Sequence, residues 1–151
     1  MATRLAAFDI DGTLAASKQK IDAPIASALA DLLYVMPVAI ISGGSLALLL
    51  SQVVDELPRT AALSRLYLFP TVGAACFTFE HGTWRPVYQQ VLSEAQRNHV
   101  TETIKTVVNG SKFAEGVPFG PRIEYRDSSV IYSALGQHAP LDQKLAWDPD
   151  I

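Results

Sequence analysis

Phe8-Asp9-Ile10-Asp11-Gly12-Thr13-Leu14 is the stretch that decides how this chain folds. It follows the apolar residues Leu5-Ala6-Ala7, and with them Phe8 completes a short buried strand. Two carboxylates two residues apart therefore stand where a strand meets solvent, and a glycine and a threonine turn the chain away. In α/β sheets ligands bind beyond the C-terminal ends of the strands, where helix N-termini converge and backbone groups are free. The segment is thus expected to end a central strand. A carboxylate so placed can attack phosphorus, its neighbour two residues on can move the proton, and both can help hold a hard cation of the magnesium kind. A calcium loop fits poorly, since it needs a further acidic residue before its glycine and a glutamate at its end. A solvated Asp-Gly turn is the plain alternative.

Downstream, Ile21-Asp22-Ala23-Pro24 reads as a helix start with Asp22 as N-cap, and Ile25, Leu29, Leu32, Leu33 and Met36 recur at helical spacing until Pro37 closes the run. Val38-Ala39-Ile40-Ile41 is continuous apolar sequence ending in Ser42-Gly43-Gly44, as expected of a second buried parallel strand. From Ser45 a second helix carries Leu46, Leu49, Leu50, Val53, Val54 and Leu57 and stops before Pro58. This βαβα order implies right-handed crossovers and a doubly wound core. Ser42 follows the second strand as the Asp loop follows the first, so both loops are expected at one end of the sheet. There the Ser42 hydroxyl and the amides of Gly43 and Gly44 would form a phosphate cradle. Taken alone, the same residues also suit a flexible turn and helix cap.

A third strand, Leu66 to Phe69, leads through Pro70 into Thr71-Val72-Gly73, and Ala74 to Glu80 is expected to pair with Thr83 to Tyr88 across a His81-Gly82 turn. The pattern then changes. Ser93-Glu94-Ala95-Gln96 is a capping box, Val100, Ile104, Val107 and Val108 form an apolar helix face, and Asn109-Gly110 ends it. Arg122 to Arg126 and Ser129 to Leu135 then alternate as an antiparallel hairpin around Asp127-Ser128. Helix followed by hairpin is α+β, so residues 1–82 are assigned to the α/β core and 83–151 to a smaller, incomplete second domain.

A length of 151 residues allows one domain, or one and part of another. A net charge of −3 with 18% charged residues argues against a nucleic-acid footprint and against a polybasic membrane patch. Asp31 and Pro37 interrupt the longest apolar stretch, no charged leader with an apolar signal region stands at the N-terminus, and a cytoplasmic location is expected. The single cysteine, Cys76, excludes an internal disulfide and reads as a small core residue. His81, His99 and His138 lack metal-ligand spacing.

The Asp motif resembles the nucleophile loop of the haloacid dehalogenase (HAD) superfamily. Gly43-Gly44-Ser45, Phe69-Pro70-Thr71-Val72-Gly73, Ile123-Glu124-Tyr125-Arg126 and Ser133-Ala134-Leu135-Gly136-Gln137 extend the likeness to its phosphomannomutase-like branch, which carries a type II cap. The resemblance implies a HAD-like doubly wound parallel core with a partial α+β cap, and Mg²⁺-dependent phosphoryl transfer through an aspartyl-phosphate. It makes Asp9 the nucleophile and a metal ligand, and Asp11 the general acid/base that offers its backbone carbonyl to the metal. It gives phosphate binding to Ser42, Gly43 and Gly44, and substrate binding in the cap to Arg126, Gln137 and Lys144, the plain alternative for Arg126 being a solvated strand residue paired with Glu124 on the same face. The substrate is expected to be a small phosphorylated metabolite, a sugar phosphate above all, with no nucleic acid or membrane partner and with room for a homodimer through the cap. Gln137 and Lys144 stand where the branch uses arginines, which keep a planar fork for phosphate, so a phosphatase is expected rather than a mutase. The lysine and acidic pair that follow the cap in the family have no counterpart here. The chain is therefore expected to be the N-terminal part of a longer protein and poorly active by itself, with a non-catalytic HAD-like binding or regulatory domain as the alternative.

Overall fold

The structure, a computed structural model, describes residues 4–16 and 19–148 and divides into two units, Met1–Gln90 and Val91–Ile151. In the first unit β1 (Ala6–Asp9), α1 (Ala23–Val35), β2 (Val38–Ile41), α2 (Leu46–Gln52) and β3 (Leu66–Phe69) follow one another, and then come β4 (Ala75–Glu80) and β5 (Thr83–Gln89). They form one sheet in the order β1-β2-β3-β4-β5, in which β1 to β3 are parallel and β4 and β5 antiparallel. The architecture is α/β, a mixed sheet flanked by helices.

The start of α1 is fixed by its sequence. The Asp22 carboxylate accepts the Ile25 N–H at 2.9 Å, and Pro24 lies in the first turn, where its missing N–H costs no bond. One face of α1, through Ala26, Leu29 and Leu33, packs with Leu49 and Val53 against Val38, Ile40, Leu66, Leu68 and Phe77 of the sheet. Val38 and Ile40 alternate along β2, as Leu66 and Leu68 do along β3 in register with them, so they line a single face. Both helices cover that face, the outcome of right-handed crossovers between strands taken in sequence order. Leu33 is 1% exposed. Leu33→Ala should therefore cost about 2–5 kcal/mol, seen as a lower urea midpoint at unchanged slope.

Three expectations are corrected. Among the described residues β1 stands at one end of the five-stranded order and pairs with β2 alone, and its exposure alternates along its length. Strand order depends on partners far away in sequence, which a local motif does not encode. The second helix does not continue to Leu57. It ends at Gln52, Val53 leaves helical geometry (φ −120°, ψ −58°), and a 3₁₀ turn, Val54–Glu56, follows. Val53 is fully buried, and two successive β-branched residues hold a helix weakly. Finally, the boundary falls after Gln90 and not after Gly82. His81 and Gly82 both have positive φ (50° and 79°), the geometry of a two-residue hairpin turn, and this returns β5 alongside β4 in the same sheet.

The second unit contains α3 (Glu94–Val108), β6 (Ile123–Arg126), β7 (Ser129–Tyr132) and α4 (Leu141–Trp147). The capping box forms as expected: Gln96 N–H donates to Ser93 Oγ at 3.3 Å, and Ser93 N–H to Gln96 Oε1 at 2.9 Å. β6 and β7 pair antiparallel from Ile123↔Tyr132 to Arg126↔Ser129, and the ladder ends at Tyr132 instead of running to Leu135. No described helix is long and apolar enough to cross a membrane.

Candidate functional site

β1 ends at Asp9, and the turn after it is pinned by Ile10. That side chain is fully buried, and its carbonyl accepts three N–H groups, from Thr13 (3.1 Å), Leu14 (2.9 Å) and Ala15 (3.0 Å). Gly12 N–H closes the loop on the Ala15 carbonyl at 2.7 Å. Gly12 has φ 76° with open space where a Cβ would lie, so glycine is required by the backbone and not by crowding. With Ile10 buried between them, Asp9 and Asp11 are both exposed. Asp9 forms no ion pair among the described residues. Gln19 and Ile21, ahead of α1, are held by Gln52, whose Nε2 donates to the Gln19 carbonyl (2.9 Å) and whose main-chain carbonyl accepts the Ile21 N–H (3.0 Å).

Asp9 is in register with Ile41, and Ile41 with Phe69, so the loops that follow β1, β2 and β3 leave the sheet at one edge. Ser42, the first residue after β2, is 4% exposed, and its Oγ accepts the Gly44 N–H at 3.0 Å. The expected cradle is modified accordingly. The Gly44 amide is engaged by Ser42, whereas the Ser42 hydroxyl keeps its proton to donate. Open space lies where a Cβ of Gly43 would be, but a Cβ on Gly44 would meet Leu48 Cδ2 at 2.8 Å, so Gly44 is fixed by packing.

The third loop carries a feature that the sequence did not reveal. Thr71, Val72 and Gly73 have successive positive φ values of 49°, 58° and 82°. For β-branched residues this conformation is strained, by roughly 1–2 kcal/mol each. Hydrogen bonds hold it: Thr71 N–H donates to the Gly44 carbonyl (2.9 Å), Val72 N–H to the Ser42 carbonyl (2.9 Å), and Tyr88 OH to the Gly73 carbonyl (2.9 Å). Pro70 and Gly73 announce a turn, but nothing in Thr-Val announces a left-handed one.

Magnesium is commonly held by one or two carboxylates, with water and phosphate oxygens completing an octahedron. The exposed Asp9 carboxylate, with the Asp11 main-chain carbonyl on the same tight turn, fits that partial donor set, and no cluster of three or more His, Cys, Asp or Glu occurs among the described residues. Burial pushes the Cys76 thiol up from its ordinary value, consistent with an inert core residue.

Arg126, Gln137 and Lys144 all belong to the second unit but do not share one place in it. Arg126 is gripped by Glu124 through two bonds of 2.9 Å, Nε to Oε1 and Nη2 to Oε2, at the turn end of the hairpin. Gln137 lies by the opposite end, its N–H on the Pro121 carbonyl (2.9 Å) and its Nε2 on the Arg122 carbonyl (3.4 Å). At about 3.3 Å per residue, the four steps from Arg122 to Arg126 separate these two ends by roughly 13 Å. Lys144 sits on α4, lining a cavity of about 450 Å³ with Val108, Phe113, Tyr132, Leu135 and Trp147.

No protein-family model matches the sequence, and no curated protein matches it. Solved structures do match its fold. A haloacid dehalogenase-like hydrolase from Bacteroides thetaiotaomicron aligns with a TM-score of 0.51 and 20% identity over 72% of this chain and 38% of its own. The Plasmodium falciparum IMP-nucleotidase aligns with a TM-score of 0.59 and 16% identity over 85% of this chain and 38% of its own. A haloacid dehalogenase-like hydrolase from B. subtilis aligns with a TM-score of 0.54 and 17% identity over 68% of this chain and 33% of its own. The chain has the HAD-like α/β fold and spans well under half the length of these proteins.

Proposed function

We propose that this chain carries the nucleophile and the proton carrier of a Mg²⁺-dependent HAD-type phosphatase acting on a small phosphorylated metabolite, with sugar phosphates as the expected class. The observation that supports it is that the loops carrying Asp9, Asp11 and Ser42 leave the sheet at one edge: two exposed carboxylates on a tight turn after β1, and after β2, whose Ile41 is in register with Asp9, a buried serine hydroxyl that retains a proton to donate.

In this reading the Asp9 carboxylate attacks phosphorus in line, and an Asp9 Oδ–P bond forms as the ester P–O bond breaks. Asp11 gives its proton to the leaving oxygen. It then takes a proton from water, whose oxygen attacks phosphorus, releasing orthophosphate and restoring the Asp9 carboxylate. Ser42 OH donates to a phosphoryl oxygen throughout. Magnesium, when bound by the Asp9 carboxylate and the Asp11 main-chain carbonyl, would neutralise charge on the phosphoryl oxygens and leave the Asp11 carboxyl free to carry the proton.

Hydrolysis is favoured over mutase chemistry by the second unit. A mutase must grip the phosphate that is not reacting, but Arg126 is paired with Glu124 and stands at the opposite end of the hairpin from Gln137. In this proposal the second unit is a type II cap of the phosphomannomutase-like branch, retained for substrate selection, and it is the surface through which a homodimer would form. The test uses the full natural chain with a panel of phosphomonoesters. Orthophosphate release that needs Mg²⁺ and stops with chelator is expected. Efficient isomerisation of a hexose 1-phosphate with little orthophosphate would overturn the phosphatase reading, and ester binding without turnover would favour a regulatory domain.

A further inference from the structure

Val72 is an exposed valine on a left-handed backbone, and nothing in the fold explains why it is a valine. It is 81% exposed, so its methyl groups contribute little to packing, while its φ of 58° is one that glycine or asparagine would adopt more readily. The turn itself is over-determined. The bonds from Thr71 N–H to Gly44 and from Val72 N–H to Ser42 would form with either of those residues, because they use only the backbone. The side chain is therefore unfavourable to the folded chain and idle within it, a combination that marks residues whose use lies in a ligand. Its position says which ligand. The Val72 N–H bond to the Ser42 carbonyl folds the turn back toward the end of β2, the strand beside Asp9.

We infer that Val72 is a specificity-determining residue of the phosphoryl-transfer site, forming an apolar wall against the leaving group. It selects phosphate esters that present a C–H-rich face beside the ester oxygen, as an aryl group or the ring face of a sugar does. The inference rests on the proposed phosphatase reading. It separates the roles of the three loops: that of β1 supplies the chemistry, that of β2 binds the phosphoryl group, and that of β3 contacts what the phosphoryl group leaves behind.

The experiment compares the full natural chain with Val72→Gly and Val72→Asn, by thermal unfolding and by the ratio of kcat/KM for p-nitrophenyl phosphate to that for acetyl phosphate, whose leaving group has no ring. Both variants should unfold at a higher temperature than the parent. Both should lower the ratio by about tenfold, chiefly through KM for the aryl ester, the usual worth of an apolar pocket contact. A fall in unfolding temperature in both variants would show that the valine serves the fold, and an unchanged ratio would assign its methyl groups to a protein contact. Either result overturns the inference and leaves the phosphatase reading standing. Absence of turnover by the parent with every ester would overturn that reading, and this inference with it.

Discussion

Replacing Asp9 with asparagine is expected to lower phosphoryl transfer by at least about 10⁴-fold, the scale of loss when a covalent nucleophile is removed. The amide keeps the shape of the side chain but has no anionic oxygen to bond to phosphorus, so the covalent route closes instead of slowing. Asp9 is exposed and makes no ion pair among the described residues, and a surface substitution of this kind changes stability by no more than about 0.5 kcal/mol. Lost activity therefore reports chemistry and not unfolding. The measurement is orthophosphate release from a generic ester by the full natural chain, beside thermal unfolding of both proteins. A second readout is trapping of radiolabelled phosphate on the protein, present in the parent and absent in Asp9→Asn. Near-normal turnover by the variant would overturn the covalent mechanism.

Where local signals coincide, the fold was legible. At α1 an aspartate cap, a first-turn proline and a helical apolar stripe agree, and the helix runs from Ala23 to Val35 as they require. The Asp loop was legible for the same reason: an apolar strand, two acids and a glycine agree on a strand-end turn. What was missed depends on distance in sequence. That β1 stands at the end of the strand order among the described residues follows from which strands pair, and that β5 stays with the first sheet follows from the tight turn at His81-Gly82 outweighing the change of composition beyond it. α4 has seven residues, too few for a periodic pattern to stand out. The turn at Val72 was illegible because its strain runs against residue preference, and local rules fail in this way at functional sites.

Arg126, Gln137 and Lys144 of the second unit show the limit of motif transfer. Ile123-Glu124-Tyr125-Arg126 can be aligned with a phosphate-gripping strand, yet side chains two apart on a strand share a face, and on that face the guanidinium finds a carboxylate of its own chain. Sequence spacing alone allows both outcomes. The geometry shows the ion pair, so any grip on phosphate by Arg126 must first compete with Glu124.

Asp11→Asn should behave differently from Asp9→Asn, and the difference tests the division of labour between the two carboxylates. Loss of a positioned proton carrier costs about 10²–10⁴-fold, and the cost should depend on the leaving group. An alkoxide leaves only with a proton, so an alkyl phosphate should lose the full factor. A nitrophenolate departs without one, so p-nitrophenyl phosphate should still transfer its phosphoryl group to Asp9. The second half-reaction then stalls, because no base remains to take the proton from water. Rapid mixing of Asp11→Asn with p-nitrophenyl phosphate should accordingly release a burst of nitrophenolate, at most one per site, followed by a slow steady rate, with labelled phosphate accumulating on the protein. The turn should survive the substitution, since its bonds to the Ile10 and Ala15 carbonyls are made by backbone N–H groups. An equal loss for alkyl and aryl esters with no burst would place the Asp11 side chain outside proton transfer.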